Sequence, residues 1–175
     1  MTEFELLQNG IGRHLSFLGR AGLMVSITLH AQLDGIPDYH IHLDTNVAIF
    51  LNGVEYTSSN EIDDDMPYGA CEFDIKAETI LLNSCEFCLK KIFYDEMFLL
   101  HLLFDNGLEI HTCAVSPKGS EMWRIFLSWT ADIHLIGYPE GVIAEQSSFS
   151  QKELDARKRF LLEMIAKRAD KRSKG

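Results

Sequence analysis

Residues 97–112 read Met-Phe-Leu-Leu-His-Leu-Leu-Phe-Asp-Asn-Gly-Leu-Glu-Ile-His-Thr, a pattern that indicates antiparallel β-structure. Two runs rich in apolar residues flank an Asn-Gly pair, which is the strongest short-range signal for a β-hairpin. A two-residue turn at 106–107 would place Phe104 opposite Glu109. That register mixes apolar and polar side chains on both faces of the hairpin.

A three-residue loop at 105–107, with its glycine in the left-handed conformation, shifts the register by one residue. Leu102 then faces Ile110 on an apolar face, and His101 faces His111 on the opposite face. Because a slip of one residue moves every side chain to the other face, the hydrophobic pattern should fix the register. The sequence therefore predicts the bulged hairpin.

Similar β-rich runs, separated by Gly, Pro and Asn turn residues, predict an antiparallel β body over residues 14–136. A weak echo relates residues 15–50 to residues 87–126, since each contains about four such runs. Two duplicated β-meander halves would build two antiparallel sheets or one curved sheet. The predicted strands are 14–20, 23–30, 39–44, 47–51, 54–57, 87–93, 97–104, 108–114, 122–129 and 133–136.

The two ends of the chain have helical patterns. Thr2-x-x-Glu5 is a capping box and predicts a short helix within residues 1–10. Ser150-x-x-Glu153 is a second capping box, and the apolar residues after it recur at three-and-four spacing. We therefore expect a long C-terminal helix over 151–170. The 175 residues together predict one α+β domain, predominantly antiparallel β, with both helices.

Charge is distributed unevenly along the chain. The formal net charge is −10, and residues 151–175 carry nine basic and four acidic side chains, so the first 150 residues carry −15. An acidic body repels nucleic-acid phosphates and attracts basic protein surfaces, although net charge also simply maintains solubility. We expect a long acidic loop at 58–74 to bind a basic partner through Glu61, Asp63, Asp64 and Asp65.

His40-Ile41-His42 places two imidazoles on one face of a predicted strand. Zinc sites use such pairs when another strand supplies a third ligand, so zinc is a candidate cofactor at His40 and His42. The alternative is an ordinary polar strand face. Cys85-x-x-Cys88 could form a zinc site with Cys71 and Cys113, but a second such motif is absent. We interpret the four cysteines as ordinary reduced thiols, with a metal or redox role as the alternatives.

Glu121, Trp123 and Arg124 lie in the most distinctive stretch of the chain. An arginine between apolar neighbours should be paired, because an unpaired buried charge is costly. Glu121 is the predicted partner of Arg124 in a structural ion pair. The alternative is an arginine that binds a ligand.

Several classes of protein are not indicated by the sequence. No apolar run approaches the roughly 20 residues that span a bilayer, and the first five residues include two acids and no base. The chain lacks a nucleophile elbow, a phosphate-binding loop and a His-Glu-x-x-His motif. We expect a cytoplasmic protein that binds neither membrane nor nucleic acid and is not an enzyme.

Three stretches of the chain carry a resemblance to a known family: Gly12-x8-Ala21-x2-Met24, Phe104-x-Asn106-Gly107-Leu108-x-Ile110 and Ser120-Glu121-x-Trp123-Arg124-Ile125-Phe126. They resemble a family of small bacterial α+β proteins that carry an early Arg-Ala-x-x-Met strand and a late Ser-Glu-x-Trp-Arg strand. This family has no assigned catalytic activity and is similar in style to toxin-immunity proteins. The resemblance covers about residues 11–136 and transfers no functional residue.

These observations predict a non-catalytic, immunity-like module that binds a protein with a basic surface. One alternative is a metal-dependent enzyme that uses His40 and His42. Another is a self-associating structural protein, a homodimer that buries the apolar stripe of its terminal helix.

Overall fold

The computed structural model describes residues 1–31, 36–83, 87–128, 130, 132–156 and 159. Within these residues the chain forms eleven strands in two antiparallel sheets. The elements in chain order are α1 (Glu3–Gly10), β1 (His14–Ala21), β2 (Met24–His30), β3 (Tyr39–Leu43), β4 (Val47–Leu51), β5 (Val54–Ser58), α2 (Glu72–Leu81), β6 (Leu89–Tyr94), β7 (Leu100–Phe104), β8 (Leu108–Thr112), β9 (Trp123–Leu127), β10 (Ile133–Tyr138) and β11 (Gly141–Gln146).

Both sheets contribute to one apolar core. The first sheet has the order β1-β2-β3-β9-β10-β11, and the second has the order β5-β4-β8-β7-β6. In β2, β3, β7, β8 and β9 alternate residues are buried, and Ile41 of β3 and Ile110 of β8 have no exposed surface. The residues between them point outward, so each sheet has a half-exposed outer face.

The predicted hairpin register is confirmed. His101 pairs with His111 and Leu102 pairs with Ile110, which leaves the loop at Asp105–Gly107. Asn106 and Gly107 both have positive φ, which the tight connection requires.

The two halves of the chain have the same topology. The strands β1 to β5 of the first half correspond, in chain order, to β6 to β10 of the second half. When each strand is replaced by its counterpart, the strand order of one sheet becomes that of the other, except that β11 is an additional edge strand. The register shift between Leu15 and Phe17 in β1 recurs between Leu89 and Lys91 in β6. The bridge between His14 and Cys88 joins equivalent positions of these two strands. Each half therefore contributes strands to both sheets.

The helices follow the same relationship. α1 precedes β1 and packs against β6, whereas α2 precedes β6 and packs against β1 and β5. Each helix therefore contacts the strand that begins the other half of the chain. Leu6 of α1 and Phe73 of α2 are fully buried. The helices thereby close the core at the edges of the sheets.

The fold prediction is wrong at the C-terminus. The Ser150–Glu153 capping box does form, but the helix is described at 151–156, and most of the predicted remainder lies outside the described residues. A capping box indicates where a helix begins and carries no information on where it ends. The predicted loop at 58–74 contains a 3-10 turn at Ser59–Glu61 and runs into α2. In the described part of the chain, no helix is long and apolar enough to cross a membrane.

Candidate functional site

The outer face of the six-stranded sheet brings two predicted sites together. His40 and His42 point outward because Ile41 between them is buried in the core. Pairing of β3 with β9 places His42 opposite Arg124 and His40 opposite Phe126. The sequence predicts the histidine pair and the Glu121–Arg124 ion pair as two separate sites. The pairing of β3 with β9 brings them together in one site.

Phe126 lies at the centre of this site, in contact with three imidazole rings. Its ring stacks on His40 at a centroid distance of 5.1 Å and on His134 at 5.1 Å, with interplanar angles of 25° and 30°. The ring of His42 meets it edge-on at 5.0 Å. His40, Phe126 and His134 thus form a row of three rings across β3, β9 and β10. Sequence reasoning missed His134, because a lone histidine on a strand carries no signal for its cross-strand neighbours.

Arg124 is held beside the ring row by carboxylates. Its Nε donates to Glu121 Oε1 at 3.0 Å and its Nη2 donates to Glu121 Oε2 at 2.7 Å. Nη1 lies 3.0 Å from His134 Nδ1 and 3.9 Å from Glu145 Oε2. The hydrogen bonds from Arg124 to Glu121 raise the pKa of the guanidinium further, so this side chain stays charged.

Trp123 points away from this site into the core. The side chain is fully buried, and its Nε1 donates to the carbonyl oxygen of Phe98 at 2.7 Å. Its indole covers Gly137, the residue that faces it on β10. Trp123 is therefore a core residue that fixes β9 against β10.

The three imidazoles are partly withdrawn from water. Burial lowers the pKa of His40, His42 and His134 below the ordinary value of 6.5. Nearby Asp38 acts in the opposite direction at His40, whereas the Arg124 charge lowers the pKa of His134 further. These histidines are therefore neutral at pH 7 and act as hydrogen-bonding rings rather than as cations.

A pocket of about 380 Å³ opens over the ring row. Hydroxyl groups on its wall come from Ser128, Thr130 and Ser147. Phe149 and Leu154, which follow β11, complete the apolar part of the lining. The size and the mixture of apolar and polar groups are typical of a small-molecule site.

The arrangement of the histidines bears on the predicted zinc site at His40 and His42. Among the described residues, no group of three or more His, Cys, Asp and Glu side chains converges so as to hold a metal ion. Phe126 lies between His40 and His134, so these two imidazoles cannot share one ion without moving the ring. Zinc at His40 and His42 stays a prediction. Cys85 of the Cys-x-x-Cys pair lies outside the described residues.

The predicted acidic loop is fixed by a buried ion pair. Arg20 Nε lies 3.0 and 3.1 Å from the two carboxylate oxygens of Asp74 at the start of α2, and both side chains are buried. Arg20 Nη2 also donates to the carbonyl oxygen of Met66 at 2.8 Å, and Nη1 lies 3.6 Å from Asp64. The loop is thereby tied to β1 and α2.

The predicted partner-binding residues differ in their surroundings. Glu61 accepts hydrogen bonds from Thr57 at 2.6 Å and from Lys76 at 2.8 Å, so its charge is already compensated. Asp63 and Asp65 are exposed and form one turn, in which the backbone N–H of Asp65 donates to the Asp63 carboxylate at 3.1 Å.

Large apolar side chains are exposed beside these carboxylates. Met66 is 45% exposed and Tyr68 is 64% exposed, while Leu23 in the neighbouring β1–β2 turn is 65% exposed. A Cβ built on Gly22, next to Leu23, would lie 3.8 Å from Asp64 Oδ1. We call the exposed side chains of residues 63–68, together with Leu23, the acidic face.

Comparison with known proteins adds no relative: no family model, curated protein or solved structure matches this chain. The resemblance to small bacterial immunity-like proteins stays a prediction.

Proposed function

We propose that this protein is a non-catalytic, cytoplasmic, immunity-like module that binds a protein with a basic surface through the acidic face. The observation that carries the proposal is the exposure of Met66 and Tyr68 on a loop that also presents Asp63 and Asp65. Protein interfaces are enriched in aromatic residues and methionine at their centre and are polar at their rim. The acidic face combines both features.

Preorganisation supports the same function. Binding costs less when a loop is already held in its bound conformation, because less conformational entropy is lost. The Arg20–Asp74 pair and the hydrogen bond from Gly69 N–H to Asp74 Oδ2, at 2.9 Å, hold the loop from both sides. This loop is therefore suited to present a fixed surface.

The charge distribution of the protein indicates a partner with a basic surface. The acidic body attracts a basic surface and accelerates the encounter, an effect that salt screens. Arg20 and Lys76 compensate Asp64, Asp74 and Glu61 within the molecule. Asp63 and Asp65 are then the carboxylates with which a partner's lysines and arginines would pair.

The test is affinity capture from lysate of the source cells with a matched pair of variants. One variant carries Asp63→Lys and Asp65→Lys. The control carries Glu55→Lys and Glu96→Lys, which reverse two exposed charges away from the acidic face. Wild type and control should capture one stoichiometric basic protein at low salt and lose it at high salt, whereas the first variant should not capture it. Equal capture by both variants, self-capture or capture of nothing above background contradicts the proposal.

A further inference from the structure

The edge strands of the two sheets in the described part of the chain are β1, β5, β6 and β11, and the first three are protected. The strand pairing shifts register within β1, within β6 and in the pairing of β5 with β4. α2 packs against β1 and β5, and α1 packs against β6. Bulges and covering helices are common means by which proteins prevent an edge strand from pairing with another chain.

β11 has neither kind of protection. It pairs with β10 without a register shift, and neither α1 nor α2 packs against it. Its sequence, Gly-Val-Ile-Ala-Glu-Gln, contains no Lys, Arg or Pro, and Ile143 is 48% exposed. It is also the additional strand that the correspondence between the two halves does not require. Among the described strands, β11 therefore presents an open edge to a further strand.

The main-chain groups at this open edge follow from the pairing of β11 with β10. The two-residue turn at 139–140 closes on the pair Tyr138 and Gly141, and such turns close on a hydrogen-bonded pair. Because hydrogen-bonded and non-hydrogen-bonded pairs alternate along antiparallel strands, the N–H and C=O groups of Val142 and Ala144 point away from β10. No described strand lies on that side of β11. These groups can therefore bind the backbone of another chain.

The side chains of β11 complement those of a second copy in the antiparallel orientation. A two-fold axis at Ile143 places this residue opposite the partner's Ile143 and places Val142 opposite the partner's Ala144. Apolar side chains then meet on both faces of the strand pair. The same register brings the outward main-chain groups of Val142 and the partner's Ala144 together, so each such pair forms hydrogen bonds.

The charge on β11 favours this register over its neighbour. With the axis at Ala144, Ile143 would lie opposite the partner's Glu145, an apolar side chain against a carboxylate. With the axis at Ile143, Glu145 lies opposite the partner's Gly141, which has no side chain, and the two glutamates lie at opposite ends of the strand pair. Glu145 also keeps its contact with Arg124 at 3.9 Å. Because the side-chain pattern determines register, the axis belongs at Ile143.

We propose that a second copy of this chain binds the open edge of β11, so that the two copies form an antiparallel β11–β11 pair with a two-fold axis at Ile143. The six-stranded sheets of both copies would then be continuous across the axis. Ile136 of β10, which is buried and pairs with Ile143, would extend the apolar row in each copy. The interface is a single strand pair, so we expect weak association, with a Kd of about 0.1 mM.

This dimer does not depend on the proposed function. The acidic face includes the turn after β1, and β1 is the edge of the same sheet opposite to β11. The net charge of −10 makes two copies repel each other, so salt should strengthen the dimer, whereas salt should weaken the binding of a basic partner. A dimer this weak dissociates at the dilution of a lysate. The failure of either interaction is therefore distinguishable from the failure of the other.

The test is sedimentation equilibrium of the full chain from about 10 μM to about 1 mM. The average mass should rise from that of the monomer toward that of the dimer, and the association constant should be larger at high salt than at low salt. A mass that stays monomeric over the whole range would leave the edge to an extended segment of another protein and overturns the proposal.

Charge variants at the axis test the register. Ile143→Lys places like charges opposite each other and should weaken the dimer by about tenfold or more. The control is Val54→Lys, because Val54 is 70% exposed on the edge strand β5 of the other sheet. Mixing Ile143→Lys with Ile143→Glu should restore association, because opposite charges then meet at the axis. Equal effects of Ile143→Lys and Val54→Lys, or no association in the mixture, overturns the proposal.

A backbone variant tests the hydrogen bonds. Ala144→Pro removes an N–H group that points away from β10, a position at which an edge strand tolerates proline. It should weaken the dimer while the circular dichroism spectrum of the monomer stays unchanged. A dimer of unchanged strength in folded Ala144→Pro contradicts strand pairing at this edge.

Discussion

His101 and His111 face each other across β7 and β8, with their Nδ1 atoms 2.8 Å apart. The outer nitrogen of each ring meets a carboxylate: His101 Nε2 lies 3.2 Å from Asp95 Oδ2, and His111 Nε2 lies 2.9 Å from Glu109 Oε2. A hydrogen bond between the two Nδ1 atoms makes one ring the donor and the other the acceptor, and the tautomers decide which ring nitrogen carries each proton. The four residues therefore form a continuous hydrogen-bonded chain along the outer face of the second sheet.

This chain of hydrogen bonds should couple the contributions of His101 and His111 to the free energy of unfolding. Replacing either ring by leucine removes the central hydrogen bond, so the second replacement should cost less than the first. We expect a coupling energy of about 1 kcal/mol in a double-mutant cycle measured by urea unfolding. The control cycle pairs His101 with His30, which lies on the other sheet. Additive effects of the His101 and His111 replacements would show that the observed contact contributes nothing to stability.

The register that creates this contact could be predicted from sequence, because a hairpin is local. The alternation of apolar residues and a three-residue loop were sufficient to place His101 opposite His111. Helix α2, by contrast, is not predicted, although Phe73, Ala77 and Ile80 have helical spacing and are buried. The acidic run and Pro67 place the start of this helix in the predicted loop at 58–74, and the sequence predicts no element for residues 75–81. Composition therefore outweighs the helical periodicity in this segment.

The pocket could be predicted only in pieces. The outward pair His40 and His42 followed from strand alternation, and the pairing of Arg124 with an acid followed from the cost of unpaired charge. Their juxtaposition depends on β3 pairing with β9, which is about 80 residues away along the chain and has no local signal. Non-local strand pairing is thus the point at which a single sequence ceases to specify a site.

Gly137 should be intolerant of any side chain. A Cβ at this position would lie 2.1 Å from Cε2 and 2.3 Å from Nε1 of Trp123, whose indole is fully buried. Gly137→Ala should therefore lower the free energy of unfolding by about 2 kcal/mol, the usual cost of overpacking a core. Urea unfolding followed by circular dichroism gives this value.

Trp123→Leu is the matched control for that clash. Leucine also destabilises the core, but it removes the atoms that the new methyl group would meet. The Gly137→Ala effect should be much smaller in the Trp123→Leu background than in wild type. An unchanged effect would place its origin in the backbone of β10 rather than in the indole.

Asp74 should contribute to stability in a pH-dependent way. Burial raises its pKa, but hydrogen bonds from the Cys71 thiol, the Gly69 N–H and Arg20 lower it to a net value below the ordinary 3.8. A carboxyl with a lower pKa in the folded state stabilises the fold above its unfolded pKa, and this stability is lost as pH falls through the folded pKa. Stability should therefore decrease with acidification below about pH 4, and Asp74→Asn should reduce that decrease.

The comparison requires urea unfolding at a series of pH values from neutral to acid. Asp63→Asn is the control, because Asp63 is exposed and does not contact Arg20. It should leave the acid-dependent part of the curve close to that of wild type. If Asp74→Asn and Asp63→Asn change the curve equally, the buried pair is not the source of the acid sensitivity.

The pocket histidines should make stability depend on pH in a higher range than Asp74 does. Burial lowers the pKa of His40, His42 and His134, so the unfolded chain takes up protons at these sites before the folded chain does. These histidines therefore lower the free energy of unfolding only in acid. Their effect is absent above the unfolded pKa near 6.5, and the free energy of unfolding decreases as pH falls toward the lower pKa values of the folded state. His134→Gln cannot take up this proton and should make the loss of stability between pH 7 and pH 5 smaller than in wild type. Urea unfolding across this interval measures it, with His30→Gln as the control because His30 is exposed and outside the pocket. A curve for His134→Gln as steep as that of the control would mean that His134 is hydrated in the folded protein.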